Sequence, residues 1–326
     1  MTHRFARHEG ITGWNQDRVA MATAVVVGVG ALGNETARLL AMAGIGRLVL
    51  CDPDVVAESN LSRTILFRDA DIGDLKVEAA ARALASLAPG TEVEPVAAPH
   101  IRGIGLPTLR DADIVVSCVD TLAARIALAA RCTAVGAGLI DAGTDEWGGQ
   151  MCYYRPGDGC LGCGLGARQL ALRDDPWSCS RPTGARSSPA SAPVSALVGS
   201  WQATTALRVL LGLEVAEGRL SISSTGETSQ IMLGRNPDCP LHDRLDPALV
   251  RRVGSVETVA GLLEFLGPNE EAFAWVNMPD GTPLISTAPR EAALAALGVA
   301  SAEIIPVARR SDGVITRYLE TCYKIQ

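Results

Sequence analysis

Gly28-Val29-Gly30-Ala31-Leu32-Gly33 stands between an apolar run and a helical one, and Asp52 closes the next apolar run. Glycines at Gly28, Gly30 and Gly33 permit a tight turn and let the backbone approach a phosphate at a helix N-terminus. Asp52 is placed to accept from a ribose hydroxyl. On these residues alone the first meaning is an NAD or FAD site, and the plain one is a glycine turn without a ligand. The residues that follow shift the balance. Asp54, Asn60, Arg63 and Lys76 come close behind. A dehydrogenase has no need for Asn60, Arg63 and Lys76 beside its glycine turn. A nucleoside triphosphate does, because transfer at its α-phosphorus needs cations on the departing pyrophosphate. Asp120 follows a further apolar run and puts a carboxylate just past a strand end, where it can hold Mg²⁺ against phosphates. Taken singly, these are a solvated arginine, a solvated lysine and a helix cap. Taken together and in this order, they point to a triphosphate.

A second group has metal-ligand spacing. Cys160-Leu161-Gly162-Cys163 and Cys239-Pro240-Leu241-His242 each leave two residues between ligand types, the knuckle geometry of tetrahedral zinc. Cys160 and Cys163 alone would read equally well as free loop thiols; the second half makes the case for a Cys₃His set. Such a site would pin the long intervening segment to the sheet. Of the nine cysteines, Cys51, Cys118, Cys132, Cys152 and Cys322 read as core or incidental thiols.

These residues need a scaffold, and the apolar pattern supplies one. Strands are expected over 23–29, 47–51, 91–96, 113–117 and 138–141, separated by helical runs over 31–43, 74–87 and 121–132. That alternation predicts an α/β fold: a Rossmann-like, doubly wound, mostly parallel sheet with helices on both faces. An antiparallel extension is expected from a strand over 150–154 and a hairpin around Thr225-Gly226-Glu227. Residues 155–193 read as loop, and 194–211 as a long helix. The turn-rich stretch 237–247 suggests a boundary, with a triphosphate-binding domain and its zinc knuckles over 1–245 and a small α/β appendage over 246–326. For the appendage, helices over 256–266 and 290–297 and strands over 273–277, 282–286, 303–307 and 313–319 are expected.

Composition narrows the class. A chain of 326 residues with 48% hydrophobic and only 4% aromatic residues can bury a large, aliphatic core. Its net charge of −7 argues against nucleic acid as the main ligand. No apolar run reaches the ~18 residues of a membrane span, and the polar start lacks a signal-peptide pattern; a cytoplasmic protein is expected.

With Gly28–Gly33, Asp52–Asp54, Ser59-Asn60-Leu61-Ser62-Arg63, Gly73–Lys76, Cys118-Val119-Asp120, Gly149-Gln150 and the two knuckles in view, the chain resembles the ThiF/MoeB/HesA family of ubiquitin-activating-type adenylyltransferases over about residues 4–245. The resemblance implies ATP-dependent adenylation of a C-terminal carboxylate, with ATP, Mg²⁺ and Zn²⁺ as cofactors. It implies that Asp52, with Asp54 beside it, serves the ribose side, that Asn60, Arg63 and Lys76 hold phosphates, and that Asp120 holds Mg²⁺. Arg7 matches the arginine that reaches into the partner subunit's site, which implies a homodimer; His8 stands where the family usually has Gln. Cys179 lies in the crossover stretch, beside Arg181 and Arg186, where a family cysteine can form a thioester or persulfide. The acyl partner implied is a small β-grasp carrier protein ending in Gly-Gly, or a short peptide in natural-product maturation. The rivals are an NAD or FAD oxidoreductase and a scaffold that kept the fold without the activity.

Overall fold

The computed structural model describes residues 4–173, 190–275 and 285–322. A short helix α1 (Gln16–Met21) leads into β1 (Thr23–Val27). The chain then runs through α2 (Ala31–Met42), β2 (Arg47–Cys51), α3 (Lys76–Leu87), β3 (Glu92–Val96), two short helices α4 (His100–Gly103) and α5 (Leu106–Asp111), β4 (Ile114–Ser117), α6 (Leu122–Val135) and β5 (Leu139–Thr144). Next come β6 (Gly149–Tyr154), the single turn α7 (Ala167–Leu170), the long α8 (Ala192–Leu211), β7 (Arg219–Ile222) and β8 (Thr228–Ile231). These eight strands form one sheet in the order β3-β2-β1-β4-β5-β6-β7-β8. The first five are parallel, and β6, β7 and β8 are antiparallel additions. This is the α/β, doubly wound sheet with an antiparallel extension that the pattern predicts.

The central strands are apolar throughout because both of their faces are covered. Alternate side chains enter different cores. Ala24, Val26, Leu48, Leu50, Ile114 and Val116 join α2, α3 and α8 on one face. Val25, Val27, Val49, Cys51 and Val115 join α5 and α6 on the other. The helices begin and end where local chemistry dictates. Thr121 Oγ1 accepts the Ala124 N–H at 3.1 Å to open α6, and Gly136, at φ 72°, closes it. No helix among the described residues is long and apolar enough to cross a membrane.

The last segment forms a four-stranded sheet in the order β10-β11-β12-β9, from β9 (Val250–Ser255), β10 (Glu270–Ala272), β11 (Ala302–Arg309) and β12 (Ile315–Cys322), with one helix, α9 (Val259–Leu263). It has its own core around Val259, Leu262, Leu294, Val307 and Leu319. It also docks on α5 and α6. Ile304 of β11 belongs to the core beneath those helices, and Tyr318 and Val250 pack against it. The approach is close: a Cβ on Gly105 would lie 1.3 Å from the Ala302 carbonyl oxygen.

Four expectations for this segment change. The helix expected over 290–297 is a 3₁₀ turn, Leu294–Leu297. Its backbone is used elsewhere: Ala260 N–H donates to Arg290 O, Val259 N–H to Ala292 O and Leu294 N–H to Glu257 O, at 2.8, 3.0 and 2.9 Å. The helix expected over 256–266 shortens to α9, which Thr258 caps. The strand expected over 273–277 gives way to β10, three residues earlier, while 276–284 lie outside the described residues; of the strand expected over 282–286 only Ile285 and Ser286 are described, in a 3₁₀ turn, Ile285–Thr287.

Candidate functional site

In the sheet β1 lies between β2 and β4. The chain leaves β1 toward one side and β4 toward the other, so a crevice opens at their carboxyl ends. Gly28 turns the chain there at φ 89° and donates its N–H to Cys51 O at 2.8 Å. A Cβ on Gly28 would meet Cys118 O at 2.6 Å, so the turn and the exit of β4 touch. A Cβ on Gly33 would meet Gly28 O at 1.9 Å, so α2 sits directly on the turn. Gly30 differs: a Cβ there meets nothing within 4 Å. Open space in front of a helix N-terminus suits an anion.

The acidic and basic candidates gather at the same edge. Asp52 is buried, and its carboxylate accepts Val29 N–H at 2.7 Å and Asp54 N–H at 2.9 Å. Burial pushes this carboxyl above its ordinary range, against the pull of Lys76 and of the two backbone donors. Lys76 opens α3, and its Nζ lies 2.7 Å from Asp54 and 3.9 Å from Asp52. They meet because 54–56 pairs with 73–76: Lys76 N–H donates to Asp54 O, Val56 N–H to Asp74 O and Gly73 N–H to Val56 O. Asn60 and Arg63 stand in the loop between these two segments. Asn60 Oδ1 accepts Ala57 N–H at 2.9 Å, and Arg63 Nη1 donates to Ser59 O. The structure thus brings Gly28, Gly30, Gly33, Asp52, Asp54 and Lys76 to one crevice, while Asn60 and Arg63 stand in the loop between Asp54 and Lys76 with contacts inside that loop.

Two buried amides that sequence reasoning missed hold these pieces. Asn34 bonds Val29 O and Leu66 N–H. Gln202 of α8 donates to Ser117 O at 2.9 Å and accepts from Thr36 Oγ1 at 3.1 Å and Cys118 Sγ at 3.3 Å. No local signal marks either, since Leu66 is 32 residues from Asn34 and the partners of Gln202 are 84 to 166 residues away.

Asp120 is exposed after β4. The cap of α6 is Thr121, so the plain reading of Asp120 as that cap does not hold. Arg125, one turn further, pairs with the buried Asp141 of β5, with its Nε 2.9 Å from Oδ1. Beyond it a cleft of about 520 Å³ runs along the antiparallel extension, lined by Arg125, Thr144, Gln150, Ser221, Glu227 and Thr228 among others. The Gly149-Gln150 pair of the sequence therefore sits in a cleft beside the Asp120 edge.

The knuckles meet. Cys160 Sγ lies 3.9 Å from Cys163 Sγ and 3.7 Å from Cys239 Sγ, and Cys163 Sγ lies 3.2 Å from His242 Nε2. All four ligand atoms lie within 4.8 Å of one another. Tetrahedral zinc with Zn–S bonds of about 2.3 Å requires sulfurs roughly 3.8 Å apart; this donor set fits. Without a cation, burial and the neighbouring Cys163 push the Cys160 thiol up to about 12. Leu245 N–H donates to Ala134 O at 2.9 Å, which ties the second knuckle to the end of α6. The other cysteines read as core thiols are buried, save Cys322; burial pushes Cys118 and Cys132 up to about 12 and Cys152 up to about 11.

Two candidates stand apart from this edge. Cys179, with Arg181 and Arg186, lies outside the described residues. Arg7 is exposed in a segment anchored at the far end of α2. Phe5 stacks on His8, His8 packs on Trp14, and Gln16 Nε2 donates to Ala43 O at 3.0 Å. The 12 residues of α2 separate that anchor from the glycine turn, about 18 Å at 1.5 Å per residue.

A Rossmann-like crevice carrying cations and carboxylates, with a Cys₃His cluster behind it, defines a class, and comparison with known proteins names it. The chain belongs to the ThiF family, whose model matches residues 3–241. It is 32% identical over 232 residues to the sulfur carrier protein ThiS adenylyltransferase of Escherichia coli (strain K12), covering 69% of this chain and 88% of that protein. It is 31% identical over 246 residues to the SAMP-activating enzyme E1 of Haloferax volcanii, covering 73% of this chain and 87% of the relative. Among solved structures, E. coli MccB with ATP has the same fold, with a TM-score of 0.61 at 24% identity over 74% of each chain. The chain is an enzyme of the adenylyltransferase class.

Proposed function

We propose that this protein uses ATP to adenylate the C-terminal carboxylate of a small sulfur-carrier protein. The carrying observation is the cluster of Lys76, Asp52 and Asp54 at the glycine turn, where Asp52 accepts Val29 N–H and the space at Gly30 is open. A carboxylate oxygen of the acyl substrate attacks the α-phosphorus, an acyl–oxygen–phosphorus bond forms, and the bond to the pyrophosphate oxygen breaks. The nucleophile is already ionised at neutral pH, so no general base is needed. Catalysis is positioning plus charge neutralisation. In this reading Lys76 leaves Asp54 for the phosphates, Arg63 and Asn60 turn inward from the loop rim, and Asp52 receives the ribose through lone pairs its two backbone donors leave. Asp120 would hold Mg²⁺, which neutralises charge on the departing pyrophosphate. The acyl tail lies in the cleft beside Arg125 and Gln150. Cys160, Cys163, Cys239 and His242 hold zinc. The relatives that carry sulfur-carrier or SAMP activation in their names support the carrier as substrate. A short peptide is the second acyl substrate, because MccB, a microcin C7 biosynthetic enzyme solved with N-formylated MccA, shares the fold.

The place of Arg7 supports a homodimer. An arginine anchored beside Ala43 is too far to serve its own glycine turn and is free to serve another subunit's. ATP–pyrophosphate exchange tests the whole reading. Exchange is expected only with an acyl partner present, a carrier ending in Gly-Gly assayed beside a short peptide, and Asp120→Ala is expected to lose ~10²-fold or more. Exchange without any partner, or near wild-type exchange in Asp120→Ala, contradicts it. Mixing Arg7→Ala with Asp120→Ala should restore activity, since one site of the mixed dimer carries neither lesion. Mixtures as inactive as the parents, after confirmed subunit exchange, count against a shared site.

A further inference from the structure

Two separate parts of the crevice must address one triphosphate: the Gly28–Gly30 turn, and the loop that carries Asn60 and Arg63. Asn34 joins them. It stands in the first turn of α2 with its side chain wholly buried. Its Nδ2 donates to Val29 O at 2.9 Å, in the middle of the glycine turn. Its Oδ1 accepts Leu66 N–H at 2.8 Å, three residues beyond Arg63. Among the described residues no other hydrogen bond joins the turn to this loop. The loop's far end is fixed, with Thr64, Leu66 and Phe67 buried, while Glu58, Ser59 and Ser62 are exposed. The tether therefore sits where the anchored half of the loop meets its exposed, ligand-bearing half.

The chemistry of the bond requires an amide. Val29 O needs a donor and Leu66 N–H needs an acceptor, and one planar group supplies both at a fixed separation. A carboxylate of the same shape sets an acceptor against an acceptor at Val29. An aliphatic side chain of the same shape leaves two buried backbone groups without partners.

We infer that Asn34 is a positioning residue for the triphosphate: it sets the Asn60–Arg63 loop at the distance and angle from the glycine turn at which both engage the same phosphates. This deepens the proposed function and rests on the ATP reading of the crevice.

The test uses the full chain, ATP with Mg²⁺, and adenosine as the phosphate-free probe. Asn34→Asp and Asn34→Leu are compared with Leu262→Ala, a buried change in the small sheet's core that serves as a stability control. Asn34→Asp is expected to weaken ATP binding at least tenfold and adenosine binding less than threefold. In pyrophosphate exchange it should raise KM for ATP by the same factor while kcat stays within threefold. Leu262→Ala should lower the unfolding midpoint and leave ATP binding unchanged. In the wild-type protein, ATP should slow hydrogen exchange at the Leu66 amide, a measurement that stands even where a variant fails to fold. Wild-type ATP affinity in Asn34→Asp, equal losses of ATP and adenosine, a loss matched by Leu262→Ala, or Leu66 exchange indifferent to ATP would each overturn the inference. A wild-type protein that binds no ATP overturns the proposed function instead.

Discussion

Gly28 and Gly30 are two residues apart and are glycine for different reasons. Gly28 holds φ 89°, where an L side chain is strained, and a Cβ would press on Cys118 O. Gly30 has ordinary extended backbone and empty space at its Cβ. The two alanine variants should therefore separate folding from binding. Gly28→Ala is expected to cost roughly 2–4 kcal/mol, from backbone strain and overpacking together, seen as a shifted denaturant midpoint. Gly30→Ala is expected to stay within about 1 kcal/mol of wild type, the scale of a helix-cap change. Its methyl group occupies the space a phosphate would take, so ATP titration should show the larger loss. A Gly30→Ala protein that binds ATP normally would move the phosphate away from this helix terminus. At this scale the sequence is informative where a residue's own backbone or spacing carries the signal, as in the glycines and the cysteine pairs. It is silent on Asn34 and Gln202, which each take a partner from a distant segment, Leu66 for the one and Ser117 for the other.

Helix α6 is the element on which the outlying parts converge. Its start follows Asp120, its first turn carries Arg125 toward Asp141, and its end receives the second knuckle through Ala134. The knuckles themselves have almost no regular structure: two 3₁₀ turns, Leu161–Gly164 and Pro240–His242. Cys160 and Cys239 are buried without a disulfide among the described residues. Short turns of this kind hold their shape through a metal more than through hydrogen bonds. Protein purified without chelator should carry about one zinc per chain by elemental analysis. Stripping the metal, or Cys239→Ser, should lower the thermal midpoint and open 156–166 and 234–243 to proteolysis while the parallel sheet stays protected. Zinc-free protein with an unchanged midpoint would make the cluster vestigial.

Across the whole molecule, the small sheet is joined to the large one by buried charge as well as by Ile304. Arg131 of α6 meets Glu303 of β11 at 3.0 Å, both almost fully buried, and Glu303 also accepts Leu106 N–H at 2.9 Å. Nearby His100 is pushed down to about 3 by burial and by Arg131, so it stays neutral and adds no second cation. Arg110 pairs with Glu320 at 2.8 Å at the margin of the same contact. Removing one partner of such a pair leaves a buried charge alone, so Glu303→Ala should cost about 3–5 kcal/mol. The loss should appear in a single calorimetric transition that takes both sheets with it. Two separate transitions, with only the smaller one shifted, would show that the sheets unfold independently and that this contact is not what couples them.

The amino-acid sequence by itself determined the alternation of strands and helices, the glycine turn, the acidic and basic residues behind it and the two knuckles. Each of these is written within one or two turns of chain, where periodicity, backbone freedom and ligand spacing act directly. Tertiary structure decided the rest. It gave the cap of α6 to Thr121, drew 290–294 into hydrogen bonds with 257–260 in place of a helix, carried Arg7 to the far end of α2, and set Glu303 under Arg131. Outside the local Thr121 cap the reason is a partner far away in the chain, as 290–294 finds in 257–260 and Arg131 in Glu303. Which segment comes within hydrogen-bond reach depends on the order of strands in the sheet, and no local pattern records that order.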